Sequence, residues 1–178
     1  GRHGNAIDHF GRYREMGLKL GMGTDTSPPD MIMNLQVGMI LARVAAGSVM
    51  ACRSEDYYDA ATLGGADALG RPDLGRLQPG ARADITVFDR PHLGQVIDPI
   101  QTMLLAGHGR DVSDVVIDGR FVMEDRVIPG IDEATDTNRA QAQFEGLMAR
   151  YPERTHGNPP LSEIFSSSYP VLRTGRPS

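Results

Sequence analysis

The sequence predicts an α/β fold in its first part, followed by a small unit of antiparallel strands and a final helix. The apolar run at residues 18–22 leads through a polar loop into a long segment of helical spacing, which is the order strand, loop, helix. After Pro72 the spacing becomes that of short strands separated by glycine and proline. From Asp132 onward the helical period returns.

The first part, residues 1–70, begins with a short predicted helix and a predicted strand. The helix covers residues 5–16 and ends at Gly17. The strand covers residues 18–25 and ends at Asp25, because its apolar run is bounded by Gly17 and by a proline-rich loop. Asp25 is therefore expected at the carboxyl end of a buried strand, where α/β barrels carry their catalytic residues.

Two longer helices are predicted next. Asp30 is the expected N-cap of the first, which should run for about five turns because apolar residues recur at steps of three and four. These residues are Leu35, Met39, Ala42, Ala46 and Val49. The second helix is expected over residues 54–69, with Ser54 as its cap and Gly70 as its end.

The middle part, residues 71–130, is predicted to be a β unit. Residues 83–88 alternate in the manner of a strand. Residues 115–117 and 121–123 flank Asp118-Gly119, a pair typical of the tight turn of a hairpin.

The last part, residues 131–178, is predicted to form a helix and an extended tail. The helix covers residues 132–150 and ends before Pro152. Its apolar face consists of Ala140, Phe144, Leu147, Met148 and Tyr151. The tail begins at Thr155 and is rich in proline and serine.

Composition excludes several classes of protein. With 18 basic and 23 acidic residues and a net charge of -5, the chain lacks the basic surface that nucleic acid or an anionic membrane requires. No apolar run is long enough to span a membrane. The single cysteine, Cys52, excludes an intrachain disulfide and suits the reducing cytoplasm.

Three stretches resemble a known family. The first comprises residues 13–26 and 28–31, the second residues 60–70 and 75–85, and the third residues 112–123. They are similar, in the same order, to the last barrel strand, the barrel exit and the closing hairpin of the metal-dependent amidohydrolase superfamily. Within it they most resemble the branch of atrazine-type chlorohydrolases, guanine deaminase and adenosylhomocysteine deaminase.

The resemblance implies a fold and a cofactor. Residues 1–70 would be the last strand and helices of a distorted (β/α)8 TIM barrel, residues 71–130 part of a composite β-sandwich, and residues 131–178 a C-terminal helix and tail. The family pattern has one divalent metal, usually zinc and sometimes iron. Its ligands are a His-x-His pair, a further histidine and an aspartate of the last strand, and Asp25 matches that aspartate.

The chemistry of a carboxylate agrees with this role for Asp25. A hydrolytic metal site needs an anionic oxygen that binds the cation and accepts a proton from the attacking water. The alternative is that Asp25 only caps a turn, a position that aspartate favours in many proteins. In the family's fold the loop that contains His3 faces the pocket, so His3 is a candidate substrate contact, the alternative being a solvated loop histidine. Thr26 flanks Asp25 and is a second candidate substrate contact, the alternative being that it only packs in the loop or supports the carboxylate. The five histidines show no ligand-pair spacing, so the histidine ligands are expected upstream of Gly1.

The resemblance therefore implies a hydrolase fragment from an aminohydrolase that deaminates nitrogen heterocycles by means of metal-bound hydroxide. A chlorohydrolase of s-triazine-type substrates is the alternative, as is a non-catalytic fragment or subunit. The expected partners are a small heterocyclic substrate, the remainder of the parent chain and, in a homodimer or higher oligomer, further copies. The isolated 178-residue chain is expected to be inactive, because one carboxylate cannot hold the metal.

Overall fold

A computed structural model describes residues 10–25, 29–89, 94 and 96–169 of the chain. Its helices and strands, in chain order, are α1 (Phe10–Glu15), α2 (Met31–Ala46), α3 (Ser54–Ala61), α4 (Leu63–Ala68), β1 (Ile85–Phe88), α5 (Pro99–Ala106), β2 (Val112–Ile117), β3 (Arg120–Met123), α6 (Glu133–Arg150) and α7 (Leu161–Ile164). The chain forms two compact units, Gly1–Pro129 and Gly130–Ser178. The predicted division of the first unit at residue 70 stays a prediction.

Helix α2 confirms the prediction of a long helix capped by Asp30. The Asp30 carboxylate accepts a hydrogen bond from the Met33 amide at 3.0 Å, and Gly47 ends the helix with a φ of 62°. The predicted series of buried apolar residues was wrong at its last two members, Ala46 and Val49. Ala46 is exposed, and Val49 lies beyond the helix and is exposed, because the chain turns away at Gly47.

The core of the first unit lies between α1, α2, α3 and α5. It contains Phe10, Leu35, Met39, Ala42, Cys52, Tyr57, Ala60 and Leu104. The Tyr57 ring stacks on Phe10 with centroids 4.0 Å apart, and its hydroxyl donates to the Gly38 carbonyl at 2.8 Å. Gly38 allows this contact, since a Cβ there would lie 2.9 Å from the Tyr57 ring.

The prediction of one helix over residues 54–69 was wrong in two respects. Two helices are present, because Thr62 leaves helical geometry at φ -116° and ψ -81°. Arg53, not Ser54, precedes the first turn, and the Arg53 amide donates to the Asp56 carboxylate at 2.7 Å. The predicted end at Gly70 agrees with its φ of 65°.

The predicted strand over residues 18–25 is absent from the structure, where this segment is irregular. A parallel strand exists only when it is hydrogen-bonded to neighbouring strands. Here the segment lies against helices instead, and the Met22 amide donates to the Ala60 carbonyl of α3 at 2.9 Å.

The described strands form one antiparallel sheet in the order β1-β2-β3, which confirms the predicted β unit. Asp118 and Gly119 have φ values of 49° and 78°, as the predicted primed turn requires. The Asp118 amide donates to the Asp84 carboxylate at 2.7 Å, and the side chain of Asp118 pairs with Arg82.

Helix α5 was not predicted and interrupts this β unit. Asp98 caps it by accepting from the Gln101 amide at 3.0 Å, and Pro99 begins it. Leu104 from this helix is fully buried in the core.

In the second unit, α6 confirms the predicted helix and its end before Pro152. Asp132 caps it, accepting from the Thr135 amide at 3.2 Å. The prediction of a wholly extended tail was wrong, since Leu161–Ile164 is a helical turn and Phe165 meets the Tyr151 ring edge-on at 5.1 Å. Across the ranges that the structure describes, no helix combines the length and hydrophobicity of a membrane span.

Candidate functional site

Asp25 lies at the end of the irregular segment, with an exposed side chain and a φ of 54°. Residues other than glycine adopt this left-handed conformation infrequently, but aspartate does so more readily than most. Asp118 and Asp125 also have a positive φ, and Asp118 lies in the hairpin turn. The φ of Asp25 therefore fits a turn position and does not by itself indicate a functional role.

Two hydrogen bonds fix the segment that leads to Asp25. The Met22 amide donates to the Ala60 carbonyl, as described above, and the Asn34 side-chain amide donates to the Gly23 carbonyl at 2.6 Å. The first contact comes from α3 and the second from the first turn of α2. The main chain just before Asp25 is thus held by two different helices.

Asp30 fixes the far side of the same loop. One oxygen of its carboxylate accepts from the Met33 amide, and the other accepts from the Gly109 amide at 3.0 Å. The second bond joins the start of α2 to the turn before β2. A Cβ at Gly109 would approach the Asp30 carboxylate to 3.0 Å, so glycine permits this close contact.

The other predicted site residues, His3 and Thr26, lie outside the described residues. Thr24 is half-buried next to Asp25. In the described ranges no three His, Cys, Asp or Glu side chains are grouped so that they could hold a metal ion. Asp25 fits a metal as one exposed, anionic oxygen ligand on a restrained backbone, and zinc requires nitrogen or sulfur ligands in addition.

A cavity of about 880 Å³ in the described part of the chain does not include Asp25 among its lining residues. It lies between α2, the α3–α4 region and the sheet, and its walls are mostly apolar. Two of its carboxylates, Asp30 and Asp84, already accept backbone hydrogen bonds. A third carboxylate, Asp59, also lines the cavity.

Burial disfavours ionisation of two core side chains, Cys52 and Tyr57. It raises the pKa of the Cys52 thiol, which disfavours the nucleophilic thiolate. It also raises the pKa of Tyr57, whose hydroxyl is engaged with Gly38. Neither side chain is a candidate for acid or base catalysis.

The comparison with known families decides the family of the chain. The profile of the amidohydrolase family matches residues 5–122, about two thirds of the chain, and this range contains Asp25. The chain belongs to the amidohydrolase family. The resemblance of the sequence to this superfamily is thereby confirmed.

Individual amidohydrolases agree with this assignment. A 5-methylthioadenosine/S-adenosylhomocysteine deaminase of Pelotomaculum thermopropionicum is 35% identical over 142 residues, covering 76% of this chain and 33% of the relative. An adenosine deaminase from Xanthomonas campestris with bound zinc has a TM-score of 0.72 and 26% identity, with 78% of this chain and 33% of that one covered. Atrazine chlorohydrolase TrzN from Arthrobacter aurescens, complexed with zinc, has a TM-score of 0.61 and 26% identity, and the match covers 77% of this chain and 32% of TrzN. The chain thus spans about a third of the length of these amidohydrolases.

The sequence analysis identified Asp30 as the helix cap but missed Asn34 and the contact of Asp30 with Gly109. Asn34 is a polar residue among the apolar residues of the first turns of α2, which is a detectable signal. The contact between Asp30 and Gly109 spans 79 residues and has no local signature.

Proposed function

We propose that the full-length enzyme containing this chain is a metal-dependent aminohydrolase that removes an amino group from a nitrogen heterocycle of the adenosine type. Asp25 carries the proposal, because an exposed carboxylate on an anchored backbone lies within the amidohydrolase match. The deaminase name of a relative at 35% identity supports the reaction type. The zinc in two structural neighbours supports zinc as the metal.

In this proposal Asp25 has two tasks. A divalent ion, when bound, lowers the pKa of the attacking water. One oxygen of Asp25 holds the ion, and the carboxylate accepts the proton that the water loses. Asp25 then passes this proton toward the leaving nitrogen, which departs as ammonia. His3 and Thr26 are the proposed substrate contacts, and the remaining metal ligands belong to other parts of the full-length enzyme.

Hydrolytic dechlorination is the second candidate. The atrazine chlorohydrolase matches about the same share of the chain, at the same identity, as the adenosine deaminase. Both reactions add water to an electron-poor ring carbon and differ in the group that leaves. Asp25 would have the same role in both.

Product analysis of the zinc-loaded full-length enzyme tests the proposal. The enzyme is incubated with 5′-methylthioadenosine and, separately, with a chlorinated triazine, and ammonia and chloride are measured. We expect ammonia from the nucleoside and no chloride from the triazine. Chloride without ammonia would select the second candidate, and release of neither product would contradict the proposed chemistry. A cytoplasmic location and a homo-oligomer stay predictions.

A further inference from the structure

We propose that Asn34 is a positioning residue for Asp25, and that its side-chain amide keeps the Asp25 carboxylate in the place where it binds the metal. The inference rests on the proposed function of Asp25. It concerns a residue that does not itself contact the metal or the substrate.

A short hydrogen bond links Asn34 to the segment that precedes Asp25. Asn34 Nδ2 donates to the Gly23 carbonyl oxygen at 2.6 Å, across 11 residues of sequence. Gly23 lies two residues before Asp25, so the bond fixes the peptide chain immediately ahead of the carboxylate. A side-chain amide supplies the donor that a carbonyl needs, whereas a carboxylate would repel it.

The position of Asn34 is itself fixed by the capped first turn of α2. Its backbone amide donates to the Asp30 carbonyl at 3.0 Å, in the capped first turn of α2. The Asp30 side chain in turn accepts from Met33 and from Gly109. The helix and the contact of Asp30 with Gly109 thus fix the position of Asn34. The side-chain amide of Asn34 in turn restrains Gly23.

Asp25 benefits from such support. Aspartate tolerates a φ of 54° better than most residues with a side chain, but other backbone angles remain more favourable, so a loop without the Asn34 bond would also sample those angles. The carboxylate would then sample positions away from the metal. Loss of groups that orient a metal ligand typically weakens metal binding 10- to 100-fold.

Helix α2 provides a matched control. Gln36 Nε2 donates to the Leu105 carbonyl at 2.6 Å, so it makes the same type of bond, at the same length, from the same helix. That bond reaches α5 and not the Asp25 segment. Asn34→Ala and Gln36→Ala therefore remove equivalent hydrogen bonds that differ in what they hold.

The experiment measures the zinc affinity of the full-length apoenzyme by competition with a chelator, together with hydrogen exchange of the Met22 amide, which is bonded to Ala60 beside the contact of Asn34 with Gly23. We expect Asn34→Ala to bind zinc roughly tenfold more weakly and to exchange this amide faster. Gln36→Ala should match the wild type in both readouts. If Asn34→Ala unfolds, the nearly isosteric Asn34→Leu carries the same test.

Two results would overturn the inference. One is a wild-type zinc affinity in Asn34→Ala, and the other is an equal loss of affinity in Gln36→Ala. The zinc affinity of Asp25→Asn, measured in the same way, distinguishes a failure of the positioning role of Asn34 from a failure of the proposed function of Asp25. If Asp25→Asn loses zinc while Asn34→Ala keeps it, only the positioning role is wrong; if Asp25→Asn keeps full affinity, both proposals fall.

Discussion

Adjacent glycines in α4 allow a direct test of how the segment before Asp25 is packed. A Cβ at Gly64 would overlap the Leu20 carbonyl oxygen, whereas a Cβ at Gly65 would meet no atom within 4 Å. Neither glycine has a positive φ, so alanine is conformationally allowed at both positions. The variants Gly64→Ala and Gly65→Ala therefore differ only in the space that the new methyl group finds.

The magnitudes follow from two opposing effects. Gly65→Ala should stabilise the protein by about 0.5–1 kcal/mol, because alanine favours the helix. Gly64→Ala gains the same amount but must displace a main-chain carbonyl, which cannot rotate away as a side chain can. Overpacking typically costs about 1–3 kcal/mol, and displacement of a main-chain oxygen belongs in the upper part of that range, about 2–3 kcal/mol. Gly64→Ala should therefore be destabilising by about 1–2.5 kcal/mol overall.

Urea unfolding of both variants, followed by circular dichroism, measures the difference. Helix propensity cancels between them, and the remaining gap of about 2–3 kcal/mol is the cost of moving Leu20. Exchange of the Met22 amide, which is bonded to Ala60 at 2.9 Å, reports the local effect and should be faster in Gly64→Ala. Equal stability and equal exchange in the two variants would refute the packing of residues 18–22 against α4.

Three further predictions concern the core, the hairpin and acid sensitivity. Tyr57→Phe should lower the free energy of unfolding by about 1 kcal/mol, since it removes the 2.8 Å bond to Gly38 and keeps the ring; an unchanged urea midpoint would contradict this. Gly119→Val should lower the free energy of unfolding by at least about 1–2 kcal/mol, because Gly119 has a φ of 78°. Turnover per folded molecule should not change. An unfolding free energy equal to that of the wild type would argue against the primed turn. The hydrogen bond from Arg71 lowers the pKa of Asp73 to about 2, below the unfolded value of ~3.9. Its stabilising effect is therefore present above pH ~4 and is lost as the pH falls toward 2, so Asp73→Asn should make stability less dependent on pH in that window.

The sequence was sufficient where local signals determine the structure. The cap of α2, the buried positions Leu35, Met39 and Ala42, and the Asp118-Gly119 turn are local features, and they were predicted correctly. The segment at residues 18–22 was predicted as a strand, since apolar composition cannot distinguish pairing with strands from packing on helices.

Helix α5 was missed for a related reason. Its eight residues are short for a periodic signal, although Asp98 and Pro99 are recognisable start signals. The contact of Asn34 with Gly23 depends on how a helix and a loop meet in three dimensions, and the sequence contains no rule for it. The contacts that hold the candidate site are consequently the part of the molecule that the sequence predicted least.

Replacing Asp25 by asparagine tests the central claim most directly. Asn keeps the size of the side chain but cannot accept the proton and is a weaker ligand. Asp136→Asn, the same chemical change on exposed α6, is the control. Deamination of 5′-methylthioadenosine by the full-length enzyme, at saturating zinc, should fall by about a hundred- to ten-thousand-fold in Asp25→Asn and stay unchanged in Asp136→Asn. Near-normal turnover by Asp25→Asn with zinc bound would show that Asp25 is only a loop residue and would contradict the proposed function.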